Sequence, residues 1–166
     1  MATSIPQDFL EGLGAITVNF GALENSLGNV ILYLVAGMSV EGQEKYQILT
    51  AQLSFKQLVW SFGSLYRQRF PGEDEKKLEE LISRCFKAEQ ARNTLIHSLW
   101  VGGPQDAATR LKLTARGEFK FNMTHHKKEE LTEVANTLAV LSYDVVRVVI
   151  TKLFPDEPAE PRGRDA

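Results

Sequence analysis

One periodic apolar pattern constrains the fold of this chain more than any other feature. From Phe9 to Leu34 an apolar side chain recurs every three or four residues, and Gly37 follows the end of the run. That spacing places the apolar residues on one face of an α-helix, and a glycine just past the last turn is typical of a helix end. The sequence therefore predicts an unusually long first helix with one face buried against other helices.

The same period predicts the remaining helices. Pro71-Gly72 marks the end of one of them, and the acids at residues 73–75 favour the N-terminus of the next. The expected spans of these further helices are residues 43–52, 55–70, 73–99 and 127–154.

Before the last helix the period changes from that of a helix to that of a strand. Residues 110–114 and 118–122 alternate, and Gly117 between them permits a tight turn. A lone hairpin is marginal in water, so the face with Leu111 and Phe119 is expected to pack on a helix. The opposite, basic face carries Arg110, Lys112 and Lys120. The predicted fold is mainly α, an up-and-down bundle of about four long helices with a β-hairpin inserted before the last one.

Length and composition indicate one soluble domain. A chain of 166 residues that is 43% hydrophobic and 24% charged can bury a real core. We expect the domain at residues 5–154 and a disordered, proline-containing tail at 155–166. The single cysteine, Cys85, suits a reducing cytoplasm, and the longest apolar run, residues 30–36, is too short to cross a membrane. The expected location is cytoplasmic, with no membrane partner.

The segment Arg92-Asn93-Thr94-Leu95-Ile96-His97 is the main candidate site. Arg92 falls within the apolar stripe of its helix, where a charged residue needs a partner or a function. Asn93 and His97 are four residues apart and share a flank with Phe86. Arg92 and His97 lie roughly 140° apart on an ideal helix, so only a curled arginine side chain brings them together. The alternative is a buried structural arginine beside a capping or surface histidine.

The first helix holds a second polar anomaly, Glu24, within its apolar stripe. A buried carboxylate needs a cation or hydrogen-bond donors, so we predict that Glu24 pairs with Arg92. The alternative is that Glu24 points to water at the edge of the stripe.

The first helix also carries a glycine every seven residues, and such a face permits close helix packing inside the bundle or across a dimer. The three glycines are Gly14, Gly21 and Gly28. The alternative is that they recur at this spacing by chance.

Trp60 and Trp100 are interpreted as core or interface aromatics. No metal site is expected, because the pair His125-His126 lacks further ligands at a suitable spacing.

The segment from Arg92 to His97 and the order of the predicted helices resemble the HEPN (higher eukaryote and prokaryote nucleotide-binding) superfamily, in particular its bacterial Abi/toxin-like members. The superfamily motif is an arginine, then a polar residue, with a histidine about four to six positions after the arginine, late in the third long helix. Arg92, Asn93 and His97 fit that pattern. Residues 20–24, residues 97–100 and the hairpin before the last helix are also similar, and the resemblance covers residues 5–154.

The resemblance implies a metal-independent endoribonuclease without a cofactor, in a toxin–antitoxin or phage-defence setting. Arg92 and His97 would be the catalytic pair, Asn93 a polar accessory and Glu24 a supporting residue. Attack by the 2′-hydroxyl of RNA needs a base, an acid and positive charge near the phosphorane, and histidine and arginine supply these groups. A homodimer would bring two motifs together across a cleft between protomers.

The implied partners are the RNA substrate, contacted by the basic face of the hairpin, and an antitoxin or regulatory protein. The net charge of −2 does not itself indicate nucleic acid, although it leaves room for a local basic patch. The alternative function is a non-catalytic HEPN-like helical protein that binds a protein partner or a nucleotide and uses Arg92 structurally.

Overall fold

The computed structural model describes residues 5–37, 43–103, 107–114 and 120–155. This part of the chain is a helical bundle with a small antiparallel sheet before the last helix, which confirms the predicted fold class. The elements in order are α1 (Gln7–Ala36), α2 (Gln43–Thr50), α3 (Phe55–Arg69), α4 (Glu75–Ile96), β1 (Leu99–Gly102), β2 (Ala108–Thr114), β3 (Lys120–His126) and α5 (Lys128–Leu153). The turn predicted at Gly117 and nearly all of the predicted tail lie outside the described residues.

Local sequence accounts for where the helices begin and end. Gly37 follows α1 with a φ of 62°, a conformation that glycine adopts without a side-chain clash. Ser54 opens α3 through a capping box, in which Ser54 and Gln57 satisfy each other's backbone N–H groups. α4 begins at Glu75, two residues after the predicted start, and ends at Ile96, three residues before the predicted end at Leu99, with His97 as its C-cap.

α1 and α5 run side by side in the same direction. The side-chain amide of Asn19 donates to the Ala135 carbonyl at 2.8 Å. About two turns further along both helices, the hydroxyls of Ser26 and Ser142 lie 2.8 Å apart. The two pairs advance together along both helices, which makes the helices parallel. The predicted stripe of α1 is buried in this contact and in those with α3 and α4.

α4 runs opposite to α5. The Lys152 ammonium, near the end of α5, contacts the carboxylates of Glu73 and Asp74 just before α4 begins. The end of α4 and the start of α5 therefore lie at the other end of the bundle. Phe9, near the start of α1, is there too, because its ring meets that of Trp100 in β1 at 4.9 Å.

The sheet has three strands in the order β1-β2-β3, one more than the predicted hairpin. β2 and β3 are the predicted pair, whereas β1 was not predicted, and its first residue, Leu99, lies at the predicted end of the preceding helix. The packing of the hairpin's apolar face on a helix stays a prediction, because Leu111 is the one residue predicted for that face whose side chain the structure describes, and Leu111 is half-buried. Leu99 and Met123, its cross-strand neighbours, are 59% and 54% exposed, while Ala108, on the opposite face, is fully buried.

α5 is the one helix in the described ranges whose length and composition would allow it to cross a membrane, with a mean hydropathy of 1.4 in its most apolar window. In the bundle it buries one face in the core, and the other face carries charged and polar side chains. The buried residues are Leu131, Ala135, Leu138, Leu141, Val145 and Val149.

Candidate functional site

Arg92, Asn93 and His97 converge at the end of α4. The Nη1 atom of Arg92 donates to Asn93 Oδ1 at 2.9 Å and lies 3.2 Å from His97 Nε2. Ideal helix geometry separates Arg92 from His97, but the helix ends at Ile96 and His97 takes a C-cap conformation with φ −94° and ψ 23°. The early helix end thus brings together two side chains that the spacing alone leaves apart.

The contact between arginine and histidine fixes the role of one ring nitrogen. A guanidinium has only donors, so His97 Nε2 must accept, and the imidazole proton then resides on Nδ1. The His97 side chain is exposed, so Nδ1 and, after displacement of Arg92, Nε2 are open to a substrate.

The guanidinium of Arg92 packs against the aromatic ring of Phe20. Its Cζ atom lies 4.7 Å from the centre of the Phe20 ring, a cation–π arrangement across α1 and α4. Its Nε is buried without a hydrogen-bond partner, while Nη1 points toward Asn93 and His97. Arg92 is thus half-buried. An arginine in this orientation can bind an anion with the outer end of its guanidinium.

Glu24 does not form the predicted direct pair with Arg92. No nitrogen–oxygen contact within 4.0 Å joins them in the described part of the chain, and Glu24 is half-exposed. Burial raises the pKa of the Glu24 carboxyl, the Arg92 charge lowers it, Glu89 raises it again, and the net direction is upward. Glu24 therefore lies within the field of Arg92 without neutralising it.

The Glu24→Gln variant should be as stable as the wild type or more so at neutral pH. A carboxyl whose pKa is raised by folding favours the fold below its unfolded value of about 4.3, and that contribution is lost as pH rises through the folded value. The gain from glutamine should therefore grow between pH 4 and pH 7. Urea denaturation of both proteins at the two pH values measures it. A clear loss of stability in Glu24→Gln at pH 7 would contradict this prediction and indicate that Glu24 and Arg92 do pair directly.

A groove of about 960 Å³ lies beside the motif. Asn93 and His97 line it from α4, together with Phe86, which confirms that these three share one flank. The remaining walls come from α3 and from the sheet, through Lys56, Trp60, Leu99, Leu111 and Lys112. Arg92 is not part of the groove wall, but the two residues that its Nη1 contacts are.

The groove contains two residues that the sequence did not single out, Lys56 and Glu89, and one that it did not assign to the site, Trp60. Trp60, which we predicted to be a core or interface aromatic, is 59% exposed, whereas Trp100 is half-buried and donates to the Leu95 carbonyl at 2.8 Å. A sequence signal for Trp60 did exist. The apolar stripe of α3 passes through Leu58, Val59 and Phe62, and Trp60 falls outside it.

The three predicted RNA-contacting residues are not equivalent. Lys112 is exposed and lines the groove, while Arg110 is half-buried and its Nη2 lies 3.3 Å from Thr124 Oγ1 across the strands. Lys120 pairs with Thr114 in the backbone register, and its side chain is outside the described set. Of the three, Lys112 is the one that the structure brings to the motif.

Neither histidine of the His125-His126 pair joins the groove. His125 Nδ1 lies 2.9 Å from Thr109 Oγ1, and His126 Nδ1 lies 2.8 Å from Glu130 Oε2. No cluster of three or more metal-ligating side chains occurs in the ranges that the structure describes. Cys85 is buried, and burial raises the pKa of its thiol to about 12, so it is not a candidate nucleophile.

The three regularly spaced glycines of α1 lie in two different environments. A Cβ atom at Gly14 or Gly21 would meet nothing within 4 Å, so this part of the face is open, whereas one at Gly28 would lie 3.9 Å from Thr50 Oγ1. Val18, on the same open face, is 70% exposed.

No family model, curated protein or solved structure matches this chain. Function must therefore be argued from the site itself. The site offers an accepting imidazole, a fixed guanidinium and an amide at the rim of an open groove, a set suited to binding and cleaving a phosphodiester.

Proposed function

We propose that this chain is a metal-independent endoribonuclease of the HEPN superfamily, acting in the cytoplasm in a toxin–antitoxin or phage-defence setting. One observation carries the proposal: the guanidinium of Arg92 lies within hydrogen-bonding distance of both Asn93 and His97, beside an open groove of about 960 Å³.

The proposed reaction uses the substrate's own nucleophile. His97 removes the proton from the 2′-hydroxyl, the 2′-oxygen attacks the adjacent phosphorus, and the bond to the 5′-oxygen of the next nucleotide breaks. Arg92 binds the phosphate oxygens and stabilises the negative charge of the phosphorane, while the Asn93 amide orients Arg92 through its Oδ1. The leaving 5′-oxygen takes up a proton from the protonated His97 of a second copy of the chain, and the products are a 2′,3′-cyclic phosphate and a 5′-hydroxyl.

A homodimer fits this chemistry, because one motif supplies a single histidine and the reaction uses both a base and an acid. The open face at Gly14, Val18 and Gly21 permits close approach of a second copy. We expect sedimentation equilibrium to give about twice the chain mass of 18.6 kDa at micromolar concentration. A strict monomer would remove the two-histidine arrangement and require a water or a substrate group as the acid.

The function is tested by incubating end-labelled single-stranded RNA with the protein in EDTA. Cleavage should persist, because no step involves a metal, and its products should carry the cyclic phosphate and the 5′-hydroxyl. RNA with a 2′-O-methyl group at the cut site should resist, since its nucleophile is blocked. Cleavage that requires added magnesium would reject the mechanism.

One observation favours the second candidate, a non-catalytic protein that binds a partner or a nucleotide. Arg92 rests on Phe20 and so contributes to helix packing whether or not it contacts a phosphate. If the well-folded dimer cleaves no RNA and Arg92→Ala lowers its stability, this structural role is the better description.

A further inference from the structure

Trp60 is exposed at a position where the fold does not require it. Its side chain is 59% exposed on the polar side of α3, although tryptophan has one of the largest apolar surfaces of any residue. Its ring is nevertheless ordered against a second aromatic, because its centre lies 5.3 Å from that of Phe86 at an angle of 49°. α3 and α4 thus hold a fixed indole at the wall of the groove, with a broad surface left open to solvent.

Two exposed lysines border this indole. Lys56 lies one helical turn before Trp60 on α3, and Lys112 enters the groove from β2. Glu89 is the only acidic residue among the described side chains that line the groove. Two lysines against one carboxylate give the groove a basic balance, in contrast to the net charge of −2 for the whole chain.

We propose that Trp60, supported by Phe86, is a stacking platform for a base of single-stranded RNA, with Lys56 and Lys112 contacting the flanking phosphates. The inference rests on the proposed ribonuclease function and extends it, because it assigns a binding subsite beside His97 in the same groove. Stacking on an indole with lysines along the backbone is the way proteins bind single strands without strong sequence preference.

The surroundings of Trp60 favour RNA over a protein partner as the occupant. The core of a protein–protein interface is depleted in lysine and glutamate, whereas Lys56, Lys112 and Glu89 all line the groove together with Trp60. A duplex is also disfavoured, because its bases are already stacked and present no face to an indole. The substrate class is therefore unpaired RNA, such as a loop or a single-stranded linker.

Binding can be measured separately from cleavage. We would titrate a fluorescein-labelled, fully 2′-O-methylated single-stranded RNA into the protein and follow anisotropy, comparing the wild type with Trp60→Leu and Trp60→Phe. Trp60→Leu should weaken binding by about 5- to 100-fold, while Trp60→Phe, which keeps a stacking ring, should retain most of the affinity. Tyr143→Leu is the matched control, since Tyr143 is also a 59% exposed aromatic but lies on α5 outside the groove, and it should bind like the wild type.

The charge arrangement gives a second readout. Lys56→Gln and Lys112→Gln should each reduce the slope of log affinity against log salt by about 0.7, as expected for the loss of one phosphate contact to a single strand. Glu89→Gln should tighten binding by about two- to fivefold through the loss of a repulsive charge.

Equal affinities for the wild type and Trp60→Leu would overturn the platform. So would a halving of the sedimentation mass in Trp60→Leu, because Trp60 would then lie between two copies of the chain. Equal binding of duplex and single-stranded RNA by the wild type would also count against it.

The proposed cleavage is tested separately, by the activity of the His97 variant and by the chemical ends of the products. A protein that cleaves RNA without using Trp60 would keep the function and lose the platform.

Discussion

Replacing His97 by alanine should slow RNA cleavage by about 100- to 10,000-fold, the usual range for the loss of a general acid or base. The side chain is exposed, and its described side-chain partner is Arg92. The free energy of unfolding should therefore change by no more than about 0.5 kcal/mol. Initial rates on labelled RNA and urea denaturation of the same preparations measure the two quantities.

His125→Ala is the matched control for this experiment. His125 is also an exposed histidine, but it lies on β3 and contacts Thr109 rather than the groove. It should retain wild-type activity. Cleavage that persists undiminished in His97→Ala would falsify the assignment and indicate a contaminating nuclease or a different site.

Replacing Phe9 by alanine should lower the free energy of unfolding by about 3 to 5 kcal/mol. Phe9 is fully buried, and its ring meets Trp100 edge-on at 4.9 Å, where Trp100 in turn meets the ring of His126 at 5.4 Å. These three rings join α1, β1 and β3. A truncated Phe9 thus leaves a cavity at the junction of the bundle and the sheet.

The neighbouring variant Leu10→Ala provides the control for Phe9→Ala. Leu10 is 45% exposed on the same turn of α1, so its truncation should cost less than about 1 kcal/mol. Urea midpoints and thermal midpoints measured in parallel give the difference. Similar losses in the two variants would mean that the three-ring junction does not hold the sheet to the bundle.

The sequence predicts the long helices because their apolar period persists over many turns. Gly37 adds a local signal at the end of the first helix, and the structure places it there. β1 was missed because four residues after a helix are too few for a period of two to appear. The same short strand explains why the end of α4 was placed at Leu99.

The residues of the candidate site were predictable, but their arrangement was not. Spacing shows that Asn93 and His97 share a flank, and the groove confirms it. The approach of Arg92 to His97 depends on the helix ending at Ile96, and the separation of Glu24 from Arg92 depends on how α1 and α4 pack. Trp60 comes to the motif only through the packing of α3 on α4, a tertiary contact that periodicity within one helix does not reveal.

The length of α5 has a practical consequence for handling the protein. Its 26 residues rise by about 39 Å, from the sheet at one end to the contact of Lys152 with Glu73 at the other. A biotin or an affinity handle attached beyond the exposed Pro155 would therefore leave the groove pointing away from a sensor chip. Immobilisation before Phe9 would crowd the sheet and the groove, so the two attachment points should give different apparent capacities for RNA on the same surface.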